Sequence, residues 1–257
     1  MSLTPDRLDR FARHIVLPEL GGVGQMALAD AHVAVIGCGG IGSPAIQYLA
    51  AAGIGRLTLI DNDTVVASNL QRQTIFAPAD IGQAKAECAA HWVQRFDHAI
   101  EVRAVAERIG EDNAGAILNG ATVVLDGCDN FATRLAVSDA CVAIGVPLTS
   151  AALGRFQGQI ANFAGHLPDQ SCYRCFVGDA FDTDDCDTCA ADGVLGAMAG
   201  VVGSFAAMHA IRVILAGKTT LGDPQWGVLQ LFDGLAPSLR GLRIVKDAQC
   251  RGCSTRG

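Results

Sequence analysis

Three parts of this 257-residue chain carry residues able to do chemistry: a glycine turn, an alternation of cations and carboxylates, and paired cysteines. Gly37, Gly39 and Gly42 stand in VAVIGCGGIGSP (33–44) at G-x-G-x-x-G spacing, after an apolar run and ahead of a helix-like segment. Such a turn aims backbone N–H groups and a helix N-terminus at a phosphate. Asp61 closes the next apolar run, 19 residues past Gly42, where a Rossmann half places its ribose-binding carboxylate. The glycines leave three readings open: the pyrophosphate of NAD, the triphosphate of ATP in carboxylate activation, or a tight structural turn.

The block that follows favours the triphosphate. In DNDTVVASNLQRQTIF (61–76) and DIGQAKAE (80–87), Arg72 and Lys85 place two cations near the nucleotide crevice, with Asp63, Ser68, Asn69 and Gln73 as polar company. Backbone amides largely meet the two charges of a dinucleotide. A triphosphate with Mg²⁺ calls for cations at its far end, where charge develops as pyrophosphate leaves. The bland alternative is solvated surface charge. A third strand runs into VVLDGCDNFATR (123–134), which brings Asp126, Asp129 and Asn130 to the carboxyl end of the sheet. Asp129 is the expected Mg²⁺ ligand, or a cap for the next helix, and Arg134 a partner for a carboxylate or phosphate.

Cys172 and Cys175 (CYRC) and Cys250 and Cys253 (CRGC) form two C-x-x-C pairs separated by 74 residues. Four thiolates suit tetrahedral structural Zn²⁺, here anchoring the C-terminal tail to the body. A third pair, Cys186 and Cys189, could by spacing be a zinc half-site or a redox pair. Its neighbours Asp182, Asp184, Asp185 and Asp187 would raise a thiol's pKa and disfavour the thiolate. Cys38, Cys88, Cys128 and Cys141 lie on apolar or glycine-rich segments and read as buried packing thiols.

Strand-like runs at 32–37, 57–61, 122–127, 146–151, 158–164, 227–233 and 242–245, with helical periodicity at 43–53, 83–96, 130–143 and 194–216, must position these groups. Strand and helix alternate through the first half, which predicts a Rossmann-like α/β fold with a mostly parallel sheet. The later strands are closely spaced and read as an antiparallel continuation. Half the residues are hydrophobic, enough for one large core or two modest ones. A formal charge of −7 argues against a nucleic-acid backbone binder. The opening MSLTPDRLDRFARH is charged and lacks an apolar signal core, and the ten cysteines suit a reducing compartment, so a cytoplasmic protein is expected. The apolar segment 193–211 reads as a buried or interface helix rather than a membrane span.

GCGGIG, DNDTVVASNLQRQ, GQAKAE and LDGCDNFATR, with the two cysteine pairs, resemble the ThiF/MoeB/HesA family, bacterial relatives of the ubiquitin-activating enzyme, from about Arg10 to Cys253. The resemblance implies a single adenylation domain over 1–257: a helical segment (1–30), a nucleotide-binding part (31–150) and a carrier-binding and zinc part (151–257). It implies ATP-dependent adenylation, with Mg²⁺, of the C-terminal glycine of a small ubiquitin-like sulfur-carrier protein. The favoured carrier is MoaD-like, of molybdenum-cofactor synthesis, with a ThiS-like carrier of thiamine synthesis close behind. Residue by residue, Gly40 and its neighbours would hug the phosphates and Asp61 hold the ribose. Asn69, Arg72 and Lys85 would bind the triphosphate, and Asp129 Mg²⁺. In RFARHIVLPELGGVGQ, Arg13 would reach across a homodimer interface as an arginine finger, and TCAADGVLG places the functional thiol at Cys189. No rhodanese-like stretch follows Cys253, so a separate sulfur donor, a cysteine desulfurase or rhodanese-like protein, is expected.

The alternatives are the same chemistry on a peptide or tRNA, an NAD-dependent oxidoreductase, and a zinc-pinned scaffold without catalysis. The oxidoreductase leaves Arg72, Lys85 and the cysteine pairs unexplained.

Overall fold

The computed structural model describes residues 3–178 and 193–254. The N-terminal segment is helical: α1 (Pro5–Arg10), α2 (Ala12–Ile15) and α3 (Gly21–Asp30). Thr4 caps α1 and Pro5 opens it, as a residue without a backbone N–H can. Arg7 fastens this segment to the body through a 2.6 Å ion pair with the buried Asp97, which Arg10 approaches to 3.6 Å. The Arg10 guanidinium also lies 4.9 Å from the centre of the Phe96 ring.

The body is one eight-stranded sheet in the order β3-β2-β1-β4-β5-β6-β7-β8. Its strands are β1 (His32–Ile36), β2 (Arg56–Ile60), β3 (Glu101–Val105), β4 (Val123–Asp126), β5 (Leu148–Gly154), β6 (Gln157–Phe163), β7 (Val228–Asp233) and β8 (Ser238–Arg243). The first five are parallel and the last three continue antiparallel, as the strand spacing predicts. β1 and β4 are buried on both faces, which is why they read as unbroken apolar runs.

Alternate residues feed two cores. Val33, Val35, Leu57 and Leu59 face one side, under helices α4 (Gly42–Ala52), α5 (Lys85–Phe96) and α9 (Gly196–Ile214). Ala34, Ile36 and Val124 face the other, under α6 (Ala114–Leu118) and α7 (Phe131–Ile144). A short helix, α8 (Tyr173–Val177), lies against α7.

Helix α9 is long and apolar enough to cross a membrane by length and composition. Its buried residues, among them Ala199, Val202, Ala206 and Ala210, pack on α4, β5 and β6, so it is a core helix here. The short helices α6 and α8 lie outside the helical periodicity of the sequence, and two strands depart from the sequence reading. β3 was missed because it is an edge strand whose Glu101, Arg103 and Ala104 are exposed, leaving no apolar alternation to see. β8 starts at Ser238 rather than 242, because pairing with β7, not apolar content, defines it; all six of its residues are exposed.

Candidate nucleotide site and cysteine cluster

The chain reverses direction across the sheet between β1 and β4, and loops from the carboxyl ends of β1, β2 and β4 converge there, as ligand sites of open α/β sheets do. They enclose a cavity of about 960 Å³. Its floor is the glycine turn. Gly37 has φ +83°, and a Cβ on Gly42 would lie 1.9 Å from the Gly37 carbonyl oxygen. Only glycine at 42 lets α4 begin so close behind the strand, with its N-terminus toward the cavity. Gly37, Gly39 and Gly40 line the cavity; Gly42 shapes the turn from behind.

Asp61 sits at the rim of this turn. Its Oδ2 accepts the Cys38 N–H (2.8 Å) and its Oδ1 the Asp63 N–H (2.9 Å). Burial raises its pKa, while these N–H groups and Lys85 oppose the rise. The carboxylate is thereby held in a fixed orientation at the cavity rim. Lys85, the first residue of α5, is buried and paired with the exposed Asp63 at 2.8 Å. Arg72 donates to the Ser68 carbonyl (3.1 Å), and its methylenes lie beside Gly40. Gln73 lines the cavity with a buried Oε1 that has no hydrogen-bond partner among the described residues. Asn69 is buried and is not among the residues lining the cavity; its Oδ1, like Gln73 Oε1, has no hydrogen-bond partner among the described residues, and its backbone carbonyl closes the turn that presents Arg72 and Gln73.

The third loop separates roles that the sequence left merged. Asn130 caps α7, accepting the Thr133 N–H at 2.8 Å, so Asp129 is not the cap. Asp129 is exposed on the cavity wall and makes no hydrogen bond or ion pair among the described residues. Arg134 is buried, and the carboxylate it pairs with is Asp126 within the chain, at 3.2 Å. It also donates to Ser150 Oγ and to the carbonyls of Cys128 and Ala151. Sequence reasoning missed part of the wall: Glu107, Arg108 and Ile109 after β3, Gln157 and Gln159 on β6, and Tyr173. The first group follows the unrecognised edge strand, and the strand pattern of β6 gave no reason to single out its polar residues.

Arg13 is exposed and is not on the cavity wall of its own chain. Cys186, Cys189 and their aspartates lie outside the described residues. Of the four packing thiols, Cys38 and Cys141 are buried, whereas Cys88 and Cys128 are half-buried, and Cys128 reaches the cavity wall. Burial raises the Cys38 and Cys128 pKa values well above the usual thiol range.

The two cysteine pairs meet through the fold. The sulfurs of Cys172, Cys175, Cys250 and Cys253 all lie within 4.8 Å of one another. Cys172 Sγ is 3.8 Å from Cys175 Sγ and 3.5 Å from Cys250 Sγ, and Cys175 Sγ is 3.5 Å from Cys253 Sγ. These match the edge of a ZnS₄ tetrahedron, about 3.8 Å for Zn–S bonds of about 2.3 Å. They far exceed the disulfide length of about 2.05 Å. A hydrogen bond from Cys172 lowers Cys175 to about 5, and the same contact raises Cys172. The cluster is thus four crowded thiols at the spacing a tetrahedral cation requires.

The chain matches the ThiF family over residues 11–252. It is 37% identical to the SAMP-activating enzyme E1 of Haloferax volcanii, covering 100% of this chain and 93% of that protein. It is 38% identical to the sulfur carrier protein adenylyltransferase of Thermus thermophilus, covering 98% and 93%. Mouse adenylyltransferase and sulfurtransferase MOCS3 is 44% identical over 95% of this chain, which spans only 52% of that relative. Crystalline E. coli MccB with ATP shares the fold at TM-score 0.79 and 20% identity, covering 95% of this chain and 74% of MccB. Cavity, cysteine cluster and sequence agree, and the chain belongs to the ThiF family.

Proposed function

We propose that this chain adenylates the C-terminal glycine of a small ubiquitin-like sulfur-carrier protein, using ATP. The observation that carries this reading is the cavity wall itself. A glycine turn, Asp61, Arg72, Lys85 and Asp129 line one space at a topological switch point. The names of the 37% and 38% identical relatives, an E1 and a sulfur-carrier adenylyltransferase, support the substrate class.

In the reaction, a carboxylate oxygen of the carrier attacks the α-phosphorus, the bond to the β-phosphate oxygen breaks, and acyl-adenylate and pyrophosphate result. No covalent bond to the protein forms. The turn amides hold the phosphates, Asp61 fixes the ribose, and Arg72 and Lys85 offset the charge that develops on the departing pyrophosphate. Lys85 would exchange its exposed partner Asp63 for the phosphate. Asp129 and the polar groups around it fit Mg²⁺, which supplies charge neutralisation at the phosphates. The cysteine cluster fits a structural Zn²⁺. A sulfur donor carrying a persulfide, a cysteine desulfurase or rhodanese-like protein, would then attack the acyl carbon with its terminal sulfur, AMP leaving; the thiol of Cys189, the candidate, would attack the donor-side sulfur of the resulting acyl disulfide, releasing the thiocarboxylate and leaving a Cys189–donor disulfide.

We read the chain as one adenylation unit, since a single sheet joins the nucleotide part to the cysteine part. A homodimer fits Arg13, which is exposed, does not line its own cavity and would complete the partner's. Eight described cysteines, none cross-linked, fit the cytoplasm. The decisive test is ATP–pyrophosphate exchange with MoaD-like and ThiS-like carriers added separately. Exchange with one carrier alone names the pathway. Exchange with neither, while ATP with Mg²⁺ still raises Tm, moves the substrate to a peptide or tRNA and refutes the carrier reading.

A further inference from the structure

We propose that Gln73 is a further substrate-binding residue, whose side-chain amide donates a hydrogen bond to the phosphate nearest the ribose of the bound nucleotide. The proposal rests on the ATP reading above and concerns a wall residue outside that scheme.

Gln73 follows a turn whose backbone is already fixed. The turn opens with a 3₁₀ segment (Ala67–Asn69), and the Asn69 carbonyl accepts the N–H groups of both Arg72 and Gln73 at 3.0 Å. Helix α9 starts hard against it: a Cβ on Gly196 would lie 2.1 Å from the Gln71 carbonyl oxygen. The Gln73 side chain is held just as closely. The residue is 4% exposed, and its buried Oε1 has no hydrogen-bond partner among the described residues. Yet it lines the cavity, and its Nε2 lies 3.4 Å from where a Cβ on Gly39 would stand. A buried amide in this state destabilises the ligand-free fold, because it has left water and gained no partner. What its nitrogen faces is the amide-lined turn, which suits an anion.

The order of groups along the turn says which phosphate. Asp61, the ribose residue of the reading above, accepts the Cys38 N–H at 2.8 Å. Gly39 comes next and has the Gln73 nitrogen beside it. Gly40 follows and has the Arg72 methylenes beside it, 3.6 Å from where its Cβ would stand. Ribose carboxylate, amide and cation thus repeat the order of ribose, α-phosphate and β-phosphate. Gln73 is placed for the α-phosphate, whose non-bridging oxygens gain charge as a carboxylate attacks. A neutral donor there meets that charge without adding to the hold on the departing pyrophosphate, which falls to Arg72.

AMP separates the phosphates, since it carries only the first. AMP and ATP are titrated with Mg²⁺ into the full chain by calorimetry, for the parent, Gln73→Met and Gln73→Glu, and Tm is read without nucleotide. Methionine keeps the length of the side chain and removes both amide atoms. Gln73→Met should weaken AMP and ATP alike, by about tenfold. It should also raise the ligand-free Tm by about 2–6 °C, because the unpartnered amide is gone. A residue that only held the fold together would lower it. Gln73→Glu sets a carboxylate of the same size against the phosphate and should weaken both nucleotides further. At saturating ATP, pyrophosphate exchange by Gln73→Met should fall by about 10²-fold. Weaker ATP with unchanged AMP overturns the assignment to the α-phosphate. Unchanged affinity for both, in Met and Glu variants, overturns the contact itself. A parent that binds neither nucleotide refutes the ATP reading. Weaker binding of both nucleotides by Gln73→Met, with no carrier-dependent exchange in the parent, upholds Gln73 and refutes the adenylation reading.

Discussion

The nucleotide cavity and the cysteine cluster are answers to opposite electrostatic problems. The cavity must receive several negative charges. It does so with backbone amides and cationic side chains, and two of its lining carboxylates are restrained in advance: Asp61 by two N–H groups and Asp63 by Lys85. The cluster gathers four sulfurs within 4.8 Å of one another. One site is organised before its ligand arrives. The other is an arrangement that a cation could complete. Binding at the first should therefore change the fold little, whereas loss of the second ligand should loosen everything that α8 and the C-terminal turn hold to α7.

The largest effect should come from Asp129→Ala. Removing an exposed carboxylate with no partner should leave Tm within about 1 °C, since such surface changes are within about 0.5 kcal/mol. Pyrophosphate exchange should nevertheless fall by about 10²- to 10³-fold. A variant that exchanges at more than a tenth of the parent rate would remove Asp129 from the site. Next is Cys253→Ser. It should lose the metal, measured by elemental analysis, and about 3 kcal/mol of stability. For a chain of this size that is a fall of roughly 6–12 °C in Tm. Full metal content in the variant would break the contrast between the two sites.

His209 tests the core between them. It is 3% exposed on α9, packs edge-on to Phe205, and burial lowers its pKa to about 4, with Arg212 adding to the shift. The folded state therefore keeps it neutral while the unfolded chain protonates near pH 6.5. Below that pH the unfolded state binds more protons, so stability falls from about pH 6.5 towards 4. His209→Leu should flatten this limb by roughly 2–3 kcal/mol at pH 4, read from Tm against pH. Parallel curves for parent and variant would exclude His209 as its source. The smallest stability effect should be that of Gly39→Ala, whose Cβ would meet only Gln73, at 3.4 Å. It should alter stability by less than about 0.5 kcal/mol and weaken ATP by about tenfold, because the methyl projects into the cradle. Gly42→Ala, aimed at a backbone carbonyl 1.9 Å away, should instead fail as a fold variant. Calorimetric ATP titrations separate the two.

Much of this was legible in residue order. Spacing alone located the glycine turn, Asp61 and the four cysteines, because each is a local pattern with a local physical cause. The cation pair was legible as charge beside a polar cluster. What spacing could not assign was which of two adjacent residues does which job. Asn130 and Asp129 both suit a helix cap, and the backbone conformation before Phe131 decides for Asn130. Asn69 and Gln73 look alike in SNLQRQ, yet of the two only Gln73 lines the cavity. Arg10 and Arg13 differ in the same way: one is held at Phe96 and Asp97, the other is exposed.

The sequence by itself determined the fold class, the glycine turn and the four cysteines that could hold a metal. Apolar periodicity, glycine conformational freedom and thiolate chemistry act over a few residues and do not depend on what lies across the molecule. Only the tertiary structure decided that Cys172 and Cys250, 78 positions apart, stand 3.5 Å from each other. It alone placed Tyr173 of that knuckle on the nucleotide wall and turned Arg134 inward to Asp126. Those outcomes follow from how α7 and α8 pack against the sheet, and packing is a property of surfaces that meet only once the chain has folded.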